Sequence, residues 1–252
     1  QGALFSTDFG KIDDGLYNEL GIGNRDLPPP QQLLENLQQV QTRNQIPRSR
    51  ELGEGCPYDF PNFSVEMETG TGKTYVYLRT IFELNQRYGF KKFIIVVPSV
   101  AIREGVTTSI GLMRQHFKGL YDNVAFDDFV YQSKDLSRVR QFAVNNEVQI
   151  MVINIQAFQK DAGENVEYGS LTEEQKKRLN VIHQEQDKMS GRRPIEYIQA
   201  TRPILIIDEP QSVDNTEKSQ KAIRNLNPLF CLRYSATHAD KHHMVYRLDA
   251  VD

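Results

Sequence analysis

The chain is short of cysteine, of excess charge and of long apolar runs, and each shortage removes a class of protein. Only two cysteines, Cys56 and Cys231, occur in 252 residues, far apart and in no metal-ligand spacing. That excludes a disulfide framework and a cysteine-built metal site, and leaves two reduced thiols in a cytoplasmic protein as the expectation. No stretch approaches the roughly 20 apolar residues that a membrane span needs, and no secretory leader is visible, so no membrane partner is expected. Thirty Lys and Arg against 33 Asp and Glu leave a formal net charge of −3. Bulk charge therefore gives no reason to expect nucleic acid, and any such contact must be local. Internal repeats and low-complexity tracts are lacking as well. The chain opens on Gln1 where a Met would start a whole protein, so it is expected to be a piece of a longer one.

What is present suits one large α/β domain or a domain with an appendage, with 39% hydrophobic and 25% charged residues. Residues 1–62 are rich in Gln, Asn, Gly and Pro and read as a flanking segment. After Pro28-Pro29-Pro30, an amphipathic helix is predicted at about 31–42, with Leu33, Leu34, Leu37 and Val40 on one face. From Phe63 to Asp252 strands alternate with helices. Strands are predicted at 63–67, 93–97, 124–131, 148–154, 204–207 and 229–234, the last of these closing the order. Helices are predicted at 73–87, stopped by Gly89, and near 134–145. Phe93–Val97 and Ile204–Ile207 are continuous apolar runs, as strands buried on both faces require. The order implies a mainly parallel sheet with helices on both faces. Residues 159–201 interrupt it as a charged insertion, with a solvated helix expected at Thr172–Arg178.

Between the first of these strands and its helix lies Met67-Glu68-Thr69-Gly70-Thr71-Gly72-Lys73-Thr74. Glycines let a backbone curl until its N–H groups point inward at phosphate oxygens. Lys73 adds a cation that reaches the β- and γ-phosphates, and the Thr74 hydroxyl is placed to bind Mg²⁺. Thr69 to Thr74 are therefore the expected phosphate-binding residues. The strict signature wants a small residue where Met67 stands. A phosphate loop also needs a strand that delivers an acid to Mg²⁺. Ile204-Leu205-Ile206-Ile207-Asp208-Glu209 has that form, with two carboxylates emerging where α/β sheets bind ligands. Asp208 would hold Mg²⁺ through water, and Glu209 would polarise the attacking water as a general base. Ser235-Ala236-Thr237, after the apolar segment Leu229–Arg233, could hydrogen-bond that acidic loop and sense its state.

Taken in order, the phosphate loop, Asp208-Glu209-Pro210-Gln211 and Ser235-Ala236-Thr237 resemble motifs I, II and III of superfamily-two helicases. The longer runs Glu66–Tyr75, Ile94–Gly105, Asp208–Asp214 and Arg233–His238 resemble the Res subunit of type III restriction-modification enzymes, across roughly residues 31–252. That branch carries Met where Met67 stands. The resemblance implies a RecA-like domain that binds ATP and Mg²⁺, within an ATP-dependent translocase and endonuclease acting on double-stranded DNA. It also implies a modification subunit that reads the DNA site and methylates adenine, in a bacterial or archaeal cytoplasm. Pro98, Ser99 and Arg103 would lie near the DNA backbone. Asn154, Gln156 and Phe158 would face the same groove, with contacts to phosphates rather than base edges. Gln211, Ser235 and Thr237 would couple nucleotide state to DNA grip. For adenine, Gln41 and Gln45 are candidates by residue type only. The chain resembles the first motor domain, without the second RecA-like domain that supplies an arginine finger and without a nuclease core. Alone it is expected to bind Mg-ATP with little or no turnover. Another superfamily-two translocase, and a nucleotide-binding scaffold without turnover, stand as alternatives.

Overall fold

Apolar runs flanked by glycine and charge become the strands of one parallel sheet. The computed structural model describes residues 16–53, 58–161, 166–236 and 243–248. A small antiparallel ribbon, β1 (Leu16–Asn18) and β2 (Gly21–Gly23), comes first. Helix α1 (Pro30–Arg43) follows, with Pro30 at its first position, where a missing N–H costs nothing. The order continues with β3 (Asn62–Met67), α2 (Lys73–Tyr88), β4 (Lys92–Val97), α3 (Val100–Leu120), β5 (Phe126–Val130), α4 (Ser137–Val144) and β6 (Val148–Asn154). Then come α5 (Glu173–Arg178), α6 (Pro194–Thr201), β7 (Ile204–Asp208), the single turn α7 (Pro210–Val213), α8 (Glu217–Arg224), β8 (Phe230–Ser235) and β9 (His243–Leu248).

Seven strands pair in the order β5-β6-β4-β7-β8-β3-β9, and every pairing is parallel. The side-chain period of two splits each central strand between two cores. Phe93, Ile95 and Val97 of β4 join Leu37, Ile81 and Phe117 under α1, α2 and α3. Ile94 and Val96 face Phe142, Ile198 and Ile223 under α4, α6 and α8. All five are completely buried, each worth about 1.5–3 kcal/mol of transfer free energy, so this one strand anchors both helical layers. Because all strands run the same way, the turns after β3, β4, β6, β7 and β8 emerge at one edge of the sheet. No helix among the described residues is long and apolar enough to cross a membrane.

Three features depart from the sequence reading. Helix α3 is not signalled by the sequence, since Gly105, Gly111, Gly119 and several β-branched residues weaken its intrinsic propensity. A Ser99 cap and a buried stripe of Val106, Ile110 and Phe117 hold it nonetheless. Strand β9 follows the strand expected to be last and pairs outside β3. Its half-exposed sequence lacks the apolar run that marked its neighbours. The insertion also divides. Its charged part forms α5, capped by a reciprocal Thr172–Gln175 box and exposed. Beyond it, Ile182, Met189, Ile195 and Ile198 are core residues.

Buried polar side chains finish the backbone accounting. Lys92 is completely buried, and its ammonium donates to the carbonyls of Phe142 (2.5 Å), Ala143 (3.2 Å) and Asn145 (2.5 Å) at the C-terminus of α4. Burial, and secondarily Lys91, pulls its pKa down to about 7. At the β9 edge, Gln41 donates to the Met244 carbonyl at 3.1 Å and Asn44 to that of Val245 at 2.6 Å. Gln41 also exchanges two hydrogen bonds with Ser49 and is 1% exposed. Its amide is spent inside the fold, which corrects its candidacy for adenine. Gln45 lies just past α1 with φ 55°, exposed.

Candidate active site

The loop from Glu68 to Gly72 is exposed between β3 and α2. Gly70 and Gly72 have φ of 86° and 85°, and Gly72 is the residue that caps α2. A Cβ at either glycine would meet nothing within 4 Å. The glycines are therefore required by backbone angle and not by crowding. Thr71 closes the loop on the Glu68 carbonyl, which accepts from its hydroxyl at 2.6 Å and from its N–H at 3.3 Å. The first N–H groups of α2 lack helical partners, so the loop presents donors and a helix dipole to an anion. Lys73 and Thr74 stand at the first two positions of the helix.

Across from this loop, Asp208 ends β7 and Glu209 follows it. Asp208 is 7% exposed, and its Oδ1 has no hydrogen-bond partner among the described residues. Burial is the main cause that pushes its pKa up to about 6; Glu209 adds to the rise, and Lys73 and a backbone hydrogen bond oppose it. An orphaned buried carboxylate oxygen beside a lysine and a hydroxyl-bearing phosphate loop fits Mg²⁺. No group of three or more potential His, Cys, Asp or Glu ligands exists among the described residues. Mg²⁺ takes one or two carboxylates and completes its shell with phosphate and water.

Glu209 sits at φ 53°, a left-handed conformation that is uncommon outside glycine. Its Oε1 is paired with the Lys73 ammonium. Its Oε2 accepts from Gln211 Nε2 at 2.7 Å and lies 3.2 Å from Ser235 Oγ. The Ser235 hydroxyl is also 3.0 Å from Gln211 Oε1, so one proton has two acceptors. Burial alone would raise the Glu209 pKa. The hydrogen bonds from Lys73, Gln211 and Ser235 outweigh it, and the carboxyl is held below its ordinary range. Side chains from three separate strand ends thus meet at one carboxylate. Thr237, the other expected coupling residue, lies outside the described residues.

The expected DNA-facing residues occupy the same edge with differing local roles. Ser99 spends its hydroxyl on the Ile102 N–H at 3.3 Å, capping α3 just after Pro98. Arg103 pairs with Glu104 at 3.1 Å, while its Nε is buried without a partner among the described residues. Asn154 accepts from the Gln156 N–H at 3.2 Å and starts a 3₁₀ turn at 155–158. Gln156 is exposed, but Phe158 is 1% exposed and packs on Tyr131 with ring centroids 4.7 Å apart. Phe158 is a core residue, which corrects its assignment to the groove.

Two features of this edge were not read from the sequence. Val100 and Ile102 are 55% and 41% exposed on the first turn of α3. A shallow groove of about 610 Å³ runs between Gln156, Gln159 and the α7–α8 turn at Asn215 and Thr216. A further cluster, Tyr58, Asp214 and Arg233, is buried behind the acidic loop. Its one sequence signal is an arginine inside the apolar run of β8, where a charge needs a partner.

This strand order, with a glycine-turned phosphate loop after β3 and a carboxylate pair after β7, defines a RecA-like phosphate-loop domain. Within that class the chain belongs to the family described as type III restriction enzyme, res subunit, whose model matches residues 31–240. It is 33% identical over 204 residues to the Res subunit of the type III restriction-modification enzyme StyLTI from Salmonella typhimurium, covering 72% of this chain and 19% of that protein. To the EcoP15I Res subunit from Escherichia coli it is 29% identical over 231 residues, covering 88% and 23%. To the EcoPI Res subunit from Escherichia phage P1 it is 28% identical over 242 residues, again covering 88% and 23%. The chain spans about a fifth of the length of these relatives. The crystal structure of the UvsW helicase from Bacteriophage T4 aligns with 86% of this chain and 55% of its own, at 14% identity and a TM-score of 0.37, a likeness too weak to argue from.

Proposed function

We propose that this chain binds Mg-ATP as the first motor domain of a Res subunit. The intact protein would couple hydrolysis to movement on double-stranded DNA and to its cleavage, together with a modification subunit. The observation that carries this reading is the meeting of Lys73, Gln211 and Ser235 on the Glu209 carboxylate beside the orphaned Oδ1 of Asp208. It joins a phosphate-binding loop to a base and to the strand that carries the sensing motif. Family membership and the 28–33% identity to Res subunits support it independently.

The chemistry follows from these groups. Thr69 to Thr74 cradle the phosphates, and Lys73 has to leave Glu209 to reach them. That exchange releases Oε1 of Glu209, which is then free to orient a water and accept its proton. Asp208 and Thr74 would hold Mg²⁺, which neutralises charge on the phosphates when bound. Gln211 and Ser235 keep Oε2 in place while Oε1 works. Pro98, Ser99, Arg103, Asn154 and Gln156 are the proposed DNA-facing residues at the same edge.

Two variants of the intact protein test the assignment. Lys73→Ala should abolish nucleotide binding. Glu209→Gln should keep or tighten binding, because no carboxylate competes for Lys73, and should lower DNA-stimulated hydrolysis by about 100-fold or more. Equal loss of binding in both would contradict the separate roles.

A further inference from the structure

From the cluster behind the acidic loop, we infer that Arg233, Asp214 and Tyr58 form a positioning clamp that sets the angle of Glu209; this rests on the reading of Glu209 as the base. Helix α7 is one turn long, far below the length at which a helix holds itself together. It begins at a residue in a left-handed conformation, a strained one for a side chain with a Cβ, which persists only where the surroundings enforce it. Something outside the turn must therefore hold it.

Strand β8 does so at both ends. At the entry, the Glu209 N–H donates to the Tyr234 carbonyl at 2.9 Å. At the exit, Asp214 receives a two-pronged ion pair from Arg233, the residue next to Tyr234, at 2.7 and 3.0 Å. Tyr58 donates a third hydrogen bond to Asp214 Oδ2 at 2.8 Å. Arg233, Asp214 and Tyr58 are 2%, 7% and 6% exposed. A fork-to-carboxylate pair fixes direction as well as distance. It holds the turn between two neighbouring residues of one strand.

The clamp spans three elements that the chemistry needs together. Tyr58 belongs to the segment leading into β3 and the phosphate loop. Asp214 closes the acidic loop. Arg233 lies in register with Ile207 of β7, and two residues further along β8 Ser235 reaches Glu209 itself. Gln220 of α8 also donates to the Asp214 carbonyl at 3.1 Å, which ties the clamp to the helix whose first turn lines the shallow groove. The hydrogen bonds of these three side chains run to one another and not to Lys73, Asp208 or Glu209, so their effect on the reaction passes through the position of Glu209. A buried ion pair contributes little net stability compared with well-packed apolar residues. Its retention here is accounted for by geometry.

The test is the double variant Arg233→Met/Asp214→Leu in the intact protein, which removes the pair and leaves no lone buried charge. The fold and Mg-ATP affinity should stay within about threefold of the parent, while kcat at saturating nucleotide falls by about tenfold or more. Arg233→Lys keeps a charge but not the fork and should fall between. A crystal structure of the double variant should show Glu209 out of the left-handed region and away from Ser235. An unchanged kcat with an unchanged acidic loop would overturn the clamp. Were the parent itself to show no hydrolysis, the reading of Glu209 as a base would fail, while the position of Glu209 in that structure would still decide the clamp.

Discussion

Asp208 keeps a buried carboxylate oxygen without a hydrogen-bond partner among the described residues, and the proposed Mg²⁺ would fill that place. Its pKa of about 6, against an ordinary 3.8, means that the folded state binds more protons than the unfolded one between those values. Folding stability from this group is therefore present below pH 4 and is lost as pH rises through about 6. Cation binding has the opposite sign, because Mg²⁺ takes the ionised form. As pH falls through about 6, the Mg²⁺-dependent part of nucleotide affinity should fall as Asp208 takes up a proton, and Asp208→Asn should lose that part of the pH dependence and keep only the part set by the nucleotide's own phosphates. Isothermal titration from pH 5 to 7.5 on both proteins measures it. That Lys73 and Glu209 meet beside Asp208 was legible because each stands at a strand-to-helix turn with its neighbours in a spaced motif. Gln41 and Phe158 were misread for the opposite reason. Their partners, Met244 and Tyr131, are set by tertiary contact and leave no mark on local sequence.

At the scale of elements, the strands with continuous apolar runs were legible almost to the residue. Burial on both faces writes itself into four or five consecutive side chains, as in Ile204–Ile207. Helix α3 and strand β9 were not, because each draws its stability from one packed face and from side chains elsewhere in the chain. Helix α4 was legible near 134–145, but not what finishes it: its C-terminal carbonyls are satisfied by an amine 50 residues upstream. Lys92→Met keeps the aliphatic volume but leaves those carbonyls unpaired. It should cost about 1–3 kcal/mol, read as a lower denaturant midpoint, with α4 exchanging its amide hydrogens faster. An unchanged midpoint would mean that water takes over the role.

For the molecule as a whole, a parallel sheet with helices on both faces was legible from the alternation of apolar runs with helical segments. The strand order was not, since β3 inserts between β8 and β9, two neighbouring strands that lie far along the chain from it. That order makes a prediction about local opening. Strands β4 and β7 lie at the centre with no solvent-facing edge, and β5 and β9 lie at the margins. Native-state hydrogen exchange should give β4 and β7 the global unfolding free energy and the marginal strands less. Equal protection across all seven strands would mean that the sheet opens only as a unit.

The one-way run of the strands has a practical use. With the candidate site gathered at one edge, the opposite edge offers a place for an observer. Glu147, exposed just before β6 begins, lies at that far edge, while the thiol of Cys231 is fully buried. In Glu147→Cys combined with Cys56→Ser, a dye would report on this domain from the edge away from the candidate site.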